Sequence, residues 1–272
     1  RRDNVNQTVR QAFNMVHSVK PYVKFGIAPA GIANEGAKAH GITPANITST
    51  GYQYNGIFAD PCAWIIDGYI DYISPQLYWV TSHASAPFNP LCEWWNNLAS
   101  TYGIHCYVSH DIANSTSNWT NSQADYEERY DQVTYNRQTS INYNPGQVYY
   151  SAGHVNGPNS TGFGSYLKTN LYQHRAVTPK IVRSNEEAIL VNPGIVANFA
   201  LNGSTLSWTA KTMSILGYNL SNIPMRYAVY AIPLNIGQSD AKSSIHTSDG
   251  GFKSDYLLDV TYSNSFDVTS YP

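Results

Sequence analysis

From Asp3 to His174 the residue pattern switches back and forth between helical and extended periodicity, and this alternation constrains the fold more than any other feature. Val5, Val9, Ala12, Phe13 and Val16 recur three and four apart, one face of a helix that Pro21 stops. The β-rich run from Tyr22 to Ala28 ends at Pro29, and the Gly- and Pro-punctuated stretch from Gly31 to Gly56 reads as a long loop. Asp60-Pro61 ahead of Cys62-Ala63-Trp64-Ile65-Ile66 has the form of an N-cap with proline in the first helical position, closed by Gly68. Strand and helix then alternate: a strand from Ile70 to Tyr78, a helix from Pro90 to Tyr102 capped by Gly103, and a strand from Ile104 to Ile112. A helix from Thr120 to Thr139, a strand from Gln147 to Ala152 and a helix from Gly162 to His174 complete the series. Such alternation predicts parallel strands joined by helical crossovers.

After Lys180 the texture changes. Thr205 to Thr209, Met225 to Ile232 and Tyr256 to Tyr262 are strand-like and separated by Gly, Asn and Ser. The expected organisation is therefore an α/β module over residues 1–180 and an all-β sandwich over 181–272, with the last strand of the sandwich expected to be missing.

Charge removes several classes of function. Only 12% of residues are charged and the balance of 16 basic against 18 acidic residues leaves a net charge of −2. No basic stretch marks a nucleic-acid partner. No run approaches the ~18 apolar residues of a membrane span. Cys62, Cys92 and Cys106 are too few and too scattered for a disulfide framework or a zinc site, and should pack as small buried hydrophobes. His105 and Cys106 point to opposite sides of an alternating strand, so no metal cluster is expected there, and no cofactor is implied. Asn-x-Ser/Thr triplets recur, as at Asn6 and Asn202, but in so Asn-rich a chain they do not establish glycosylation.

Binding groups in parallel α/β units gather at the carboxyl ends of the strands. The first strand delivers Ala28 and the loop with Asn34 and Glu35, and the second delivers Gln76, Tyr78 and Trp79. Ser109, His110 and Asp111 come from the third, and Ser151, His154 and Asn156 from the fourth. Amides, imidazoles and aromatic rings suit a sugar, whose hydroxyls need polar partners and whose C–H faces stack on rings. They suit a phosphate poorly, because Lys, Arg and a Gly-rich cradle are missing from the set.

Each residue has a structural alternative. Tyr78 and Trp79 could cap the core, His110 could be a hydrogen-bonded structural residue, Asp111 could cap the loop at Asn114-Ser115-Thr116, and Glu35 could lie on the surface. Asp71 and Glu93 stand at element starts and read as structural. Glycoside hydrolysis ordinarily needs two carboxyl groups, and Asp111 is the one well placed at this rim.

The segments RRDNVNQTVRQ, VKPYVKFGIAPAGI, ADPCAWIIDGYIDYISPQLYW, Trp94-Trp95, HCYVSHDIA and VYYSAGHVNGPNSTGFGSYLKTNLYQHRAVTP together resemble the glycoside-hydrolase-like family 10 barrel proteins, from Arg1 to about Pro179. The likeness is closest to a branch found in Bacteroidales, in which a fibronectin type III-like module follows the barrel. It implies a (β/α)8 barrel acting on glycans in the periplasm or cell envelope, with a relative that acts on peptidoglycan strands stripped of peptide. It also implies that RRDNVN lies midway along the barrel, after an acidic HFDDYFYP-like motif that is absent here. The four strands would then be the last four of eight, and the chain a fragment expected to lack catalytic activity and to self-associate through open barrel edges. Carry-over from the family is reasonable for Gln76, Tyr78, Trp79 and His110, and less direct for Asp111. Where many relatives have SPFGIW this chain has Ala28-Pro29-Ala30-Gly31-Ile32-Ala33, so the sugar contacts of that segment do not carry over. The expected function is glycoside hydrolysis of an envelope polysaccharide, with a non-catalytic glycan-binding platform as the alternative. Residues 181–272 offer no site of their own and read as a spacer or partner-binding module.

Overall fold

The structure is a computed structural model of the 272-residue chain. It describes residues 1–21, 23–33, 47–48, 51–113, 120, 122–139, 146–157, 162–173, 176, 196–209, 214–215, 218–219, 226–232 and 256–269. Two compact units divide it, Arg1–Leu171 and Tyr172–Pro272.

The first unit is built on a parallel sheet in the order β1 (Gly26–Ile27), β2 (Tyr72–Ile73), β3 (His105–Asp111), β4 (Gly146–Tyr150). Strands and crossovers thus run in the alternation read from the sequence, consistent with part of a barrel. The first two strands are shorter than expected because Pro29 and Pro75 interrupt the ladder. Beyond them it resumes as single parallel bridges, Ala30 to Gln76 and Gln76 to Ser109, with Gln76 N–H donating to the Pro29 carbonyl and Ser109 N–H to that of Pro75.

Helix α1 (Arg2–Val19) is pinned at its start by Arg2, whose guanidinium lies 3.5 Å above the Tyr54 ring centroid and donates to the Tyr54 carbonyl. The loop expected through Gly56 contains a one-turn helix, α2 (Gln53–Gly56). In α3 (Pro61–Ile66) the Asp60 carboxylate accepts from Ala63 N–H, as its position before Pro61 predicts, and Trp64 Nε1–H donates to Asn6 of α1. Then come α4 (Phe88–Thr101), α5 (Gln123–Thr139), the short α6 (Ala152–Val155), which periodicity missed, and α7 (Phe163–Asn170).

One face of the sheet is closed. Ile73, Leu77, Cys106 and Val108 pack with Phe88, Leu91, Cys92 and Trp95 of α4 in a continuous apolar core. Trp95 is fully buried and its Nε1–H donates to the Gly31 carbonyl at 2.8 Å. All three cysteines are buried as expected, and burial raises the Cys62 and Cys92 thiols to about 12. A second cluster joins Ile112, Tyr126, Val133, Phe163 and Leu167.

The second unit carries antiparallel pairings: β5 (Ala197–Asn202) and β11 (Ser265–Asp267) flank β6 (Thr205–Thr209). The strands β7 (Ser214–Ile215) and β8 (Tyr218–Asn219) pair, as do β9 (Tyr227–Tyr230) and β10 (Leu257–Thr261). Three of these match the strand-like runs read from the sequence. Trp208 is buried against Tyr227, the ring centroids 5.2 Å apart.

Candidate functional site

Strand parity decides which side chains can share a site. Cys106, Val108 and His110 of β3 face the helices, so Ser109 and Asp111 face the other way, and the same parity turns Gln76 and Tyr78 outward while Leu77 and Trp79 turn in. In β4, Gln147 and Tyr149 meet His110 and α7, leaving Gly146, Val148 and Tyr150 on the outer face.

That outer face has two tiers. At the amino-terminal end the rings of Tyr72 and Tyr107 lie 5.1 Å apart. Glycine is required beneath them, because a Cβ at Gly26 or Gly146 would run into the Tyr72 or Tyr107 ring respectively. The Tyr107 hydroxyl meets His105 Nδ1 at 2.8 Å and receives Lys24 Nζ at 3.4 Å. Burial lifts the Tyr107 phenol to about 12 and lowers the Lys24 ammonium.

At the carboxyl end stand Gln76, Tyr78, Ser109, Asp111 and Tyr150. Tyr78 Oη lies 3.5 Å from Ser109 Oγ, and its ring is stacked at 6.3 Å and 29° on that of Tyr150. Burial, with opposition from the Ser109 hydrogen bond and reinforcement from the Asp111 charge, raises the Tyr78 phenol, so it stays a neutral donor at physiological pH. Asp111 is fully buried, pairs in register with Tyr150, and accepts from Ala113 N–H at 2.9 Å through Oδ1. That last contact caps the turn at Ala113, while the loop Asn114-Ser115-Thr116 weighed for it from the sequence lies outside the described residues. Gln76 Nε2–H donates to the Ala28 carbonyl at 3.1 Å, tying the ends of the first two strands together.

The structure does not bring Trp79 or His110 to this face. Trp79 packs against the main core, its ring 6.3 Å from that of His83. His110 is fully buried between the Phe88 and Tyr149 rings, with Nδ1 2.8 Å from Gln132 Oε1 and Nε2 2.5 Å from the Gln147 amide. Desolvation first, then the charge of Arg129, depresses its pKa to about 4. The imidazole is therefore neutral. Since Gln132 Nε2–H already donates to Glu128 and the Trp79 carbonyl, His110 Nδ1–H must donate to Gln132 Oε1. Nε2 then accepts, which a neutral ring requires of the Gln147 amide nitrogen in the opposite flip. Glu128 closes the chain by accepting from both the N–H and the hydroxyl of Thr81.

His154 sits in α6 directly beyond β4, its Nδ1 3.2 Å from Ser151 Oγ. Asn156 is exposed at the end of that helix, with its amide oxygen against Gly164. Asn34 and Glu35 lie outside the described residues. Sequence reasoning missed Tyr150, Gln53 and Arg129. Buried Gln53 holds the Ala30 and Ile32 carbonyls at the end of β1, and Arg129 Nη2–H donates to the Asp111 carbonyl from the helix side. The described residues contain no group of His, Cys, Asp and Glu arranged to hold a metal.

Comparison with known proteins agrees with the resemblance read from the sequence. Residues 1–128 match the family model of the glycosyl hydrolase-like 10 proteins. Glycosyl hydrolase YngK of Bacillus subtilis (strain 168) is 35% identical over 181 residues, which is 66% of this chain and 34% of that protein. Glycosyl hydrolase DigH of Escherichia coli (strain K12) is 31% identical over 108 residues, 40% of this chain and 24% of its own. The chain thus spans about a third of the length of YngK, in keeping with the 34% covered. Gln76, Tyr78, Ser109 and Asp111 all fall inside the segment, residues 1–128, that is similar to the glycosyl hydrolase-like 10 family.

Proposed function

We propose that this chain supplies the glycan-handling face of a glycoside hydrolase acting on an envelope or extracellular polysaccharide, the glycan strands of peptidoglycan among the candidates. The observation that carries the reading is the carboxyl-end cluster of Tyr78, Ser109 and Tyr150 around Asp111, inside or adjoining the segment similar to this family. Among the described residues, Asp111 is the carboxylate on the outer face of the sheet. Acid/base hydrolysis uses two carboxyl groups, at about 5 to 9.5 Å depending on stereochemical outcome. The second belongs, in this proposal, to barrel strands other than the four described, and the antiparallel unit is a fibronectin III-like module that follows the barrel in sequence. Residence in the periplasm or envelope follows from the substrate.

A specific observation favours a second reading. Asp111 is fully buried and engaged by Ala113 N–H, which suits a non-catalytic platform on which Asp111 shapes the turn. Both readings share the glycan and differ in turnover. Peptide-free glycan strands should bind the 272-residue chain in a sedimentation assay without release of reducing ends. Failure to bind overturns both readings. Reducing-end release that Asp111→Asn abolishes would show that no second carboxyl is needed from elsewhere. Among the described residues the edges β1 and β4 each pair on one side, so the chain alone is expected to self-associate, and a monomer in size-exclusion chromatography would contradict that.

A further inference from the structure

Tyr150 had no role in the sequence reading, since nothing in Val148-Tyr149-Tyr150-Ser151 tells which tyrosine turns outward. Register settles it. Tyr149 is spent on the helix side, stacked with His110 at 5.4 Å and edge-on to Phe163, and Tyr150, paired with Asp111, is left 52% exposed on the outer face. An aromatic ring half open to water is ordinary on a surface. Here it stands beside a second ring, a hydroxyl and a carboxyl: Tyr78 is stacked at 6.3 Å, Ser109 is bonded to Tyr78, Asp111 is the register partner of Tyr150, and Ile112 N–H donates to the Tyr150 carbonyl at 3.0 Å, fixing the backbone at the end of β4.

We propose that Tyr150, with Tyr78 beside it, is a stacking platform for the C–H face of an uncharged pyranose ring, placing that sugar beside Asp111. The proposal rests on the glycan reading above and names its substrate class, which in a peptide-free peptidoglycan strand is the uncharged N-acetylglucosamine unit and not its carboxyl-bearing neighbour. Stacking needs the ring and leaves the hydroxyl at the edge, where a sugar's own hydroxyls can meet it. Neutrality follows from the charges. The carboxylate of the cluster would repel an acidic sugar, Lys24 is at the opposite end of the sheet with Tyr107, and Arg129 reaches the Asp111 carbonyl from the helix side.

The test is isothermal titration of the 272-residue chain with tetra-N-acetylchitotetraose, as an uncharged pyranose oligomer, and with tetragalacturonate as a charged one. Tyr150→Ala and Tyr150→Leu should weaken binding of the uncharged oligomer about tenfold, and Tyr150→Phe should leave it within about threefold. Tyr150→Leu keeps apolar bulk at an exposed position, so the comparison survives even if the alanine variant folds poorly. Tyr130→Ala, at an exposed position on α5, should bind as the unaltered chain does. If Tyr150→Leu binds as tightly as the unaltered chain, or Tyr150→Phe loses as much as Tyr150→Leu, the platform is overturned while the glycan reading stands. Tighter binding of tetragalacturonate overturns the neutral substrate class. No binding of either oligomer by the unaltered chain overturns the platform and the glycan reading together.

Discussion

The two faces of the parallel sheet are made of similar residue types used in opposite ways. On the helix face, aromatic and amide groups are spent on one another: Trp95 on the Gly31 carbonyl, His110 between two rings and two glutamines, and Asn96 Nδ2–H on Asn136 Oδ1 at 2.8 Å. The outer face holds the tyrosines Tyr72, Tyr107, Tyr78 and Tyr150, and toward its carboxyl end these become more accessible. Burial and hydrogen-bond satisfaction, more than residue chemistry, separate a core from a site in so Tyr-rich a chain.

This contrast predicts large stability effects on one face and small ones on the other. Trp95→Ala should be the most damaging, costing about 3 to 5 kcal/mol in chemical denaturation, since it empties a fully buried site and strands the Gly31 carbonyl. Next is the pH dependence of His110. The folded chain keeps this imidazole neutral down to about 4, whereas the unfolded chain takes up a proton near 6.5. The unfolded state therefore binds more protons between those values. The contribution of His110 is full above about pH 6.5 and falls as pH drops through the window, a loss of about 3 kcal/mol by pH 4. Stability curves for His110→Phe should lose that slope; an unchanged slope would remove His110 from the locked face.

Gln53→Ala should cost about 1 to 3 kcal/mol, because the buried Ile32 carbonyl and the half-buried Ala30 carbonyl beyond β1 lose their donor. Tyr78→Phe should be the mildest, at most about 1 kcal/mol, since the contact of its hydroxyl to Ser109 is long, at 3.5 Å. Its effect belongs in glycan affinity. A loss of stability as large as that of Trp95→Ala would mean that the outer face is core after all.

Local signals made much of the fold legible. Asp60-Pro61 marks a helix start because the carboxylate can accept the free Ala63 N–H while Pro61, having no N–H, fits the first helical position, and Gly103 marks a helix end with φ of 69°. The lengths of β1 and β2 were not legible, since Pro29 and Pro75 break a ladder that resumes beyond them. At the site, parity was available and only partly used. Cys106, Val108 and His110 share one side of a strand whose apolar members must face the core, which already sets His110 apart from Asp111. Tyr150 was not legible, because two adjacent tyrosines look alike until register with β3 is known. Gln53 was hidden for another reason: a buried amide serving distant carbonyls leaves no periodic trace.

The central claim is that the outer, tyrosine-lined face meets the glycan and the helix face does not. Ring-labelled tyrosine NMR during titration with tetra-N-acetylchitotetraose tests it most directly. Resonances of Tyr78 and Tyr150 should move in step with saturation while those of Tyr126 and Tyr149 stay fixed. Shifts confined to Tyr126 and Tyr149, or none at Tyr78 and Tyr150 under saturating ligand, would contradict the account.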